Sequence, residues 1–351
     1  MRIAQIPPLY EAIPPRLYGG TERVVAALSD ALVELGHEVT LFSSADARTQ
    51  ANLVVVRDQA LRLDRAPLKS DLAAHLVMLH EVRRQAERFD VLHFHTELMH
   101  LPVFDRCAER CLTTLHGRLD LKDLASAYRR WPEFGLVAIS ESQRSRMPSA
   151  NWCATVLHGL PLEHTPPGSG SGGYLAFLGR IAPEKAPDAA IRIALEAGMR
   201  LKIAAKVDAV DWDYFSSVVR PLLDHPLIEF VGEISERDKP AFLGGARALL
   251  FPIAWPEPFG LVMIEAMACG TPVIAFEQGA VPEVVRHGVT GFIVGSERAA
   301  CQAVHDLPQL SRSRVRREFE QCFTAQRMAR DYVGVYATLR EGRRRALAQA
   351  V

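Results

Sequence analysis

The sequence lacks a long hydrophobic run and a net charge, and no secretory leader is predicted. No stretch of about 18 consecutive apolar residues occurs, so no membrane-spanning helix is predicted. The 351 residues include 41 Lys and Arg against 41 Asp and Glu, and a chain without net charge has no overall field that would draw it onto nucleic acid. The segment before Pro7 is too short for the apolar core of a signal peptide. These absences predict a cytoplasmic protein with no nucleic-acid partner.

Ligand sets for a metal ion are also missing. The six cysteines are scattered, and although Cys107 and Cys111 could share a helix face, no second pair completes a zinc site. Histidines of the first half could be considered as ligands: His93, His95, His100 and His116. Only Glu97 offers a carboxylate at close spacing to them. We therefore expect no metal and no cofactor.

Three familiar site patterns do not apply. No Gly-x-Gly-x-x-Gly follows the first strand, which disfavours a dinucleotide-dependent dehydrogenase. Ser140 and Ser142 follow a strand but lack a nearby histidine and acid, so a hydrolase triad is not expected. The basic segment 340–345 is interpreted as a solvated helix end, which leaves at most peripheral contact with a membrane.

What the sequence does contain is a regular alternation of strands and helices. Buried strands are predicted at 39–42, 91–95, 112–115, 136–139, 174–178, 201–207, 228–231, 248–251, 272–276 and 291–294. A helix over 21–35 ends at Gly36, and the Pro, Gly and Ser run 165–173 is typical of a linker. The pattern predicts two doubly wound α/β halves with ligands at the strand ends, in a cleft between the halves.

These elements give predicted domain bounds. Residues 1–165 form an N-terminal domain on the acceptor side, 166–173 a linker and 174–310 a C-terminal donor domain. Helices are predicted over 311–351, and they could pack back onto the N-terminal domain.

Segment 255–272 carries the strongest indication of chemistry. A strand ends near Phe251, and a helix starts near Gly260 after a proline-rich loop. The free N–H groups around Phe259, Gly260 and Leu261 would form an anion site suited to phosphate, and glycine lets a ligand approach the backbone closely.

Two carboxylates belong to the same segment. Glu257 precedes the helix and is placed to accept hydrogen bonds from sugar hydroxyls, whereas Glu265 lies within the helix and could hold the two hydroxyls of a ribose. The alternative is that both are solvated charges. For Glu265 this alternative is weak, because the helix is apolar nearly all round and a lone buried carboxylate is costly.

At this point the chain resembles a known family. Glu257 and Glu265, with seven residues between them around a Pro-Phe-Gly-Leu core, are similar to the signature of the family 4 retaining glycosyltransferases, which have the GT-B fold. Further similar segments lie at 19–22, 177–185, 279–283 and 287–292, in the family's order. The resemblance implies two Rossmann-like domains facing a central cleft. It also implies a sugar transferase that works without a metal ion.

Cations near the strand ends fit the same interpretation. Arg180 and Lys185 flank the end of the first strand of the second half, where cations can neutralise a departing pyrophosphate. The resemblance implies this role, and the alternative is a surface pairing with Glu184. Lys206 stands where the family more often has glycine, and we leave open whether it contacts phosphate or is structural.

The first half contributes two further candidates. Gly19 and Gly20 open its first helix, whose N-terminus suits a phosphate or the transferred sugar. The segment Thr114-Leu115-His116-Gly117 matches the family's histidine-glycine motif, and the resemblance places His116 beside the donor sugar. The chain differs from the family at Ala186 and His158, but neither difference touches the main phosphate-binding and carboxylate positions.

The predicted function is transfer of a hexose from a nucleoside diphosphate sugar to an acceptor, which could be a small molecule, a lipid or a glycan. The resemblance implies retention of anomeric configuration and favours UDP as the nucleotide. An epimerase or phosphorylase on the same fold is the first alternative, because fold does not determine function. A non-catalytic protein that binds sugar nucleotides is the second.

Overall fold

The computed structural model describes residues 1–17, 19–162 and 166–349, and it contains two compact α/β units. The first unit comprises Met1–Gly159 together with Ala325–Val351, and the second comprises Leu160–Thr324. The predicted boundaries lay at 165 and 310, and the difference arises because helix 312–322 packs within the second unit. Thr165, where the predicted linker run begins, lies outside the described residues.

The first unit is built on a seven-stranded parallel sheet. Its strands are β1 (Arg2–Ile6), β2 (Glu38–Ser44), β3 (Asn52–Arg57), β4 (Val91–Phe94), β5 (Cys111–Thr114), β6 (Gly135–Ala138) and β7 (Trp152–Thr155). They lie in the order β3-β2-β1-β4-β5-β6-β7. The sequence order changes direction between β1 and β4, and in such sheets ligands bind outside the carboxyl ends of the strands at this point.

Helices cover this sheet, and the last of them comes from the end of the chain. They are α1 (Gly20–Glu34), α2 (Asp71–Gln85), α3 (Leu124–Tyr128), α4 (Glu141–Arg144) and the C-terminal helix Ala325–Gln349. Apolar residues spaced three and four apart, such as Val24, Leu28 and Ala31, give α1 its buried stripe, and Gly36 ends the segment at a φ of +81°. The C-terminal helix packs against α1 and buries Tyr332 and Tyr336 completely.

The second unit has a six-stranded parallel sheet. Its strands are β8 (Tyr174–Ile181), β9 (Arg200–Val207), β10 (Ile228–Gly232), β11 (Ala248–Phe251), β12 (Val273–Phe276) and β13 (Gly291–Val294), in the order β10-β9-β8-β11-β12-β13. Its helices are α5 (Pro187–Glu196), α6 (Trp212–Tyr214), α7 (Lys239–Gly245), α8 (Leu261–Ala268), α9 (Val281–Val284), α10 (Glu297–Asp306) and α11 (Arg312–Cys322), so that Ala325–Gln349 is α12. The predicted pair of doubly wound parallel sheets is confirmed.

The glycine-rich run predicted as a linker is tied to the second unit. The N–H groups of Gly168, Gly170 and Gly172 donate to the carbonyls of Cys269, Gly244 and Gly245 at 2.9 Å each. A Cβ on Gly168 would lie 2.2 Å from the Gly244 backbone, so no side chain fits there. The run is therefore held as an ordered strap along the described part of this unit.

Arg312, at the start of α11, fastens the same strap. Its guanidinium donates to the carbonyls of Gly168, Ala246 and Gly244, each at 3.0 Å, and to the Thr271 hydroxyl at 2.7 Å. The planar fork of an arginine supplies five donors, which suits it to gather several carbonyls at one point.

Arg312→Ala is expected to lower the free energy of unfolding by about 3 kcal/mol, because several half-buried carbonyls lose charged donors at once. Arg314→Ala is the matched control, since Arg314 is exposed on the same helix and should change stability by less than about 0.5 kcal/mol. Urea unfolding of both variants measures the difference. Equal effects in the two variants would show that the strap is not held by Arg312.

Among the described residues, no helix combines the length and the apolar composition that a membrane span requires.

Candidate functional site

A left-handed glycine sets the entry to helix α8. Gly260 has a φ of +84°, and a Cβ there would lie 2.8 Å from Met263 Cε and 3.0 Å from Phe251 Cζ. Glycine is therefore needed for the turn that brings the chain from β11 into the helix. The Met263 N–H donates to the Gly260 carbonyl at 3.0 Å, so the N–H groups of Leu261 and Val262 are those at the helix start that suit an anion. The Phe259 side chain is buried, 6.4 Å from the Phe323 ring, so only its backbone could face a ligand.

Glu257 and Lys185 form an ion pair just before that helix. Glu257 Oε2 accepts from Lys185 Nζ and also from Trp255 Nε1 at 2.8 Å. Lys185 Nζ lies 5.0 Å from the centre of the Trp255 ring, where a cation is attracted by the π-electrons. Both charged side chains are largely buried, at 16% and 12% exposure. The structure thus brings together two residues that lie 72 positions apart in the sequence.

A second loop holds the backbone of Glu257. The N–H of Ala280 donates to the Glu257 carbonyl at 2.9 Å, and Gly279 has a φ of +56°. A Cβ on Gly279 would lie 2.3 Å from Glu257 N, so the two loops approach as closely as glycine permits. This contact gives segment 279–283 a structural role, which is to hold the backbone of Glu257. The sequence indicated this segment only through its resemblance to the family.

Arg180 and Lys206 are neighbours on strands β8 and β9, with their Cα positions in register. Arg180 donates to Asp211 Oδ2 at 2.9 Å and to Glu184 Oε1 at 2.5 Å, so the pairing with Glu184 that was considered as an alternative does occur. Lys206 Nζ lies 2.5 Å from Asp208 Oδ1. Each predicted cation therefore has a carboxylate partner from the protein, and sequence reasoning missed Asp208 and Asp211.

Glu265 is buried in α8 at 8% exposure, as its apolar helix suggested. Its Oε1 lies 3.3 Å from Lys239 Nζ at the start of α7, and Lys239 also lies 2.6 Å from Glu236. A charged partner offsets the cost of burying the carboxylate. No motif in the sequence indicated Lys239, and the predicted ribose contact of Glu265 stays a prediction.

In the first unit, the glycine pair lies at the start of α1. A Cβ on Gly19 would lie 2.7 Å from Pro15 Cβ, so this close approach requires glycine, and α1 begins at Gly20. One turn on, Glu22 is 5% exposed. Burial raises the pKa of Glu22 to about 7, and the nearby charge of Glu11 adds to the rise.

The raised pKa of Glu22 predicts a stability change with pH. Between about pH 4.5 and 7 the folded state keeps a proton that the unfolded chain has released, so the contribution of Glu22 to stability falls by about 2 to 3 kcal/mol as the pH rises across this window. We expect Glu22→Gln to lose this contribution and Glu38→Gln, at an exposed position, to retain it. Urea unfolding of wild type and variants at pH 5.5, 6.5 and 7.5 measures it, and parallel pH curves for wild type and Glu22→Gln would contradict it.

The predicted residue His116 belongs to a cluster of histidines at the carboxyl ends of β4 and β5. Its Nε2 lies 2.8 Å from His95 Nδ1, and its ring stacks on His158 at 5.2 Å. Burial lowers the pKa of His116 to about 3. Sequence reasoning identified the histidines as a group but missed their partners Gln5, Tyr332 and Tyr336. Within the described ranges, no three His, Cys, Asp or Glu side chains are arranged to hold a metal ion.

The model described as Glycosyltransferase Family 4 matches residues 18–156, and the model described as Glycosyl transferases group 1 matches 168–320. The D-inositol 3-phosphate glycosyltransferase of Mycolicibacterium smegmatis is 27% identical, across 79% of this chain and 75% of its own length. The enzyme of the same name from Actinosynnema mirum is 28% identical, across 80% and 81%.

Solved structures share the arrangement of elements. AviGT4, a glycosyltransferase involved in avilamycin A biosynthesis, is 22% identical with a TM-score of 0.71, covering 97% of this chain and 98% of its own. Sucrose-phosphate synthase from Thermosynechococcus elongatus is 18% identical with a TM-score of 0.76, covering 96% and 98%. Anabaena Alr3699/HepE, solved in complex with UDP-glucose, is 17% identical with a TM-score of 0.72, covering 96% and 100%. At these identities the likeness shows the fold.

Proposed function

The chain belongs to the glycosyltransferases of family 4, and from that premise we propose that it transfers a hexose from a UDP-sugar with retention of anomeric configuration. The predicted family, GT-B fold and enzyme class are confirmed. The donor, the stereochemical course and the acceptor form the proposal. The observation that carries it is the Lys185–Glu257 pair, set between the end of β8 and the start of α8.

Charge stabilisation is the first part of the proposed mechanism. When the sugar leaves, negative charge grows on the diphosphate, and Arg180, Lys185 and the first N–H groups of α8 are the groups that offset it. Both cations are held by carboxylates in the protein. Binding of the donor therefore exchanges a carboxylate partner for a phosphate, which keeps each cation neutralised before and after binding.

This exchange gives Glu257 its role. Once the Lys185 ammonium pairs with a phosphate of the donor, Glu257 Oε2 is available to accept a hydrogen bond from a hydroxyl of the transferred sugar. Trp255 Nε1 continues to hold the carboxylate in place. No protein nucleophile is assigned, and the leaving phosphate accepts the proton of the acceptor hydroxyl on the same face of the sugar. The contact of His116 with the donor sugar stays a prediction.

The similar proteins indicate which nucleotide and which acceptor should be tested first. Alr3699/HepE was solved with UDP and with UDP-glucose, which supports uridine as the base. The relatives named above are D-inositol 3-phosphate glycosyltransferases, which makes that compound the first acceptor to test.

Thermal shift with UDP, GDP, ADP and dTDP tests the nucleotide, because a ligand at about 100 times its Kd adds about 2.7 kcal/mol of stability. We expect UDP alone to give a large shift. Incubation with UDP-glucose and candidate acceptors, followed by proton NMR of the product, reads the anomeric configuration directly. A β-linked product from an α-linked donor, or release of sugar phosphate in the presence of inorganic phosphate, would contradict the proposal.

Transfer is expected to survive chelation, because side-chain cations and helix N–H groups take the electrostatic role that a metal has in other transferases. Initial rates with excess EDTA should stay within about twofold of the untreated enzyme. Loss of activity in EDTA that manganese or magnesium restores would overturn this scheme of charge stabilisation.

A further inference from the structure

A continuous chain of buried hydrogen bonds runs beneath His116 in the first unit. His116 Nε2 lies 2.8 Å from His95 Nδ1, and His95 Nε2 lies 2.9 Å from Gln5 Oε1. The other end of the Gln5 amide, Nε2, donates to the Tyr336 hydroxyl at 3.2 Å. Gln5, His95 and Tyr336 are at most 3% exposed, so water does not compete for these bonds.

The chain continues through a second histidine. Tyr336 Oη lies 2.7 Å from His93 Nδ1, and His93 Nε2 lies 2.8 Å from Thr114 Oγ1. The Thr114 hydroxyl in turn contacts the Tyr332 hydroxyl at 2.8 Å. Burial keeps the pKa values of His93 and His95 well below their usual range, so each ring is neutral at pH 7 and carries one N–H.

One proton per ring then determines the direction of every bond. Gln5 Oε1 can only accept, so the proton of His95 is on Nε2 and its Nδ1 has a lone pair. That lone pair must accept from His116, whose proton is therefore on Nε2. The remaining nitrogen of His116, Nδ1, is left as an acceptor, and it has no hydrogen-bond partner among the described residues.

We propose that Gln5 and His95 are positioning residues that hold His116 as the neutral Nε2–H tautomer and present its Nδ1 lone pair to a hydroxyl of the donor sugar. The inference rests on the proposed function, which gives His116 its contact with that sugar. It adds the proton state of His116 and names the residues that determine it. A tautomer fixed before binding needs no rearrangement when the sugar arrives.

The tautomer can be measured without substrate. In protein labelled with ¹⁵N-histidine, long-range proton–nitrogen NMR distinguishes a protonated ring nitrogen from an unprotonated one, and loss of signals in His116→Asn assigns the ring. We expect Nε2 of His116 to be protonated and Nδ1 unprotonated throughout pH 6 to 8. A proton on Nδ1, which would follow if the Gln5 amide were turned over and every bond reversed, would overturn the proposal.

Variants test the link from Gln5 to His116. Gln5→Leu removes the acceptor for His95, so we expect mixed tautomers of His116 and a fall in kcat of about tenfold or more, with the donor KM within about twofold. Thr113→Val is the matched control, because it deletes an equally buried hydrogen bond, to His100 Nε2 at 2.9 Å, outside the chain. Unchanged His116 tautomers in Gln5→Leu would refute the role of Gln5.

Side-chain replacement at His116 itself supplies a test that does not depend on Gln5→Leu folding. The Oδ1 atom of asparagine can occupy the position of Nδ1, whereas the amide of glutamine reaches the position of Nε2. We expect His116→Asn to retain about tenfold more kcat than His116→Gln. The reverse ranking would contradict a lone pair at Nδ1. Absence of any transferase activity, with the predicted tautomer present, would count against the proposed function and not against the tautomer.

Discussion

Lowering the pH from 7 to 5 is expected to destabilise the first unit by several kcal/mol, and the second unit far less. Burial lowers the pKa values of a group of histidines in the first unit: His75, His93, His95, His100, His116 and His158. For His100 and His116 the pKa falls to about 3. Below about pH 6.5 these imidazoles bind protons in the unfolded chain but stay neutral in the folded protein. The free energy of unfolding therefore decreases as the pH falls.

The loss of stability can be estimated from the lowered pKa values of these histidines. A ring whose pKa falls to about 3 costs about 2 kcal/mol between pH 7 and 5, so His100 and His116 together cost about 4 kcal/mol, a large part of the stability of a domain. The lowered pKa values of the other rings act in the same direction. Protonation of Glu22 acts in the opposite direction, but this one carboxyl offsets only part of the loss. The described histidines of the second unit, His225, His287 and His305, are exposed.

Hydrogen exchange with mass spectrometry at pH 7, 6 and 5 would locate the loss of protection. His100→Asn should flatten the dependence of unfolding free energy on pH by about 1.4 kcal/mol per unit, whereas His80→Asn, at an exposed position, should leave it unchanged. Equal loss of protection in both units, or none by pH 5, would contradict the expectation.

Glu257→Ala is expected to lower kcat by about a hundredfold to a thousandfold, in the range found when one oriented catalytic group is removed. A hydrogen bond to the transferred sugar can tighten as charge develops on the ring, so its loss appears in turnover. Binding of UDP should be retained or strengthened, because Lys185 loses its carboxylate partner and is left to the phosphates.

Glu265→Ala is expected to do the reverse. A contact with the ribose is equal in ground and transition states, so its loss raises the donor KM and weakens UDP binding by about tenfold to a hundredfold, with little change in kcat. Calorimetry with UDP and steady-state kinetics separate the two variants, with Glu277→Ala at an exposed position as the control. If Glu257→Ala abolished UDP binding and Glu265→Ala left it intact, the two roles would be exchanged.

Most central strands could be predicted from the sequence, because strands buried on both faces are short apolar runs bounded by turns. The edge strands β3 and β7 were missed, since each is only half-buried and contains polar or exposed residues such as Asn52 and Cys153. Helix α2 was not resolved as an element, because Leu72 and Leu76 are exposed and obscure its amphipathic pattern.

Site positions were predictable where one local motif carries them, as at Gly260 and Glu257. Their partners were not, because an ion pair or a hydrogen bond between distant segments leaves no local signature. Asp211 meets Arg180 across 31 positions, and Gln5 meets Tyr336 across 331. Only the fold brings such residues together, so the electrostatic setting of a predicted cation had to come from the structure.

Helix α12 is synthesised after the second unit but packs in the first unit, and this has a consequence for biosynthesis. During vectorial translation, helix α12 leaves the ribosome only after residues 160–324, a delay of roughly 10 to 30 s at ordinary elongation rates. Until then His93 and Gln5 lack the hydroxyl of Tyr336, and the face of α1 that α12 covers is open to solvent. The unit that is synthesised first is therefore the last to mature, and its nascent form presents the features that chaperones recognise.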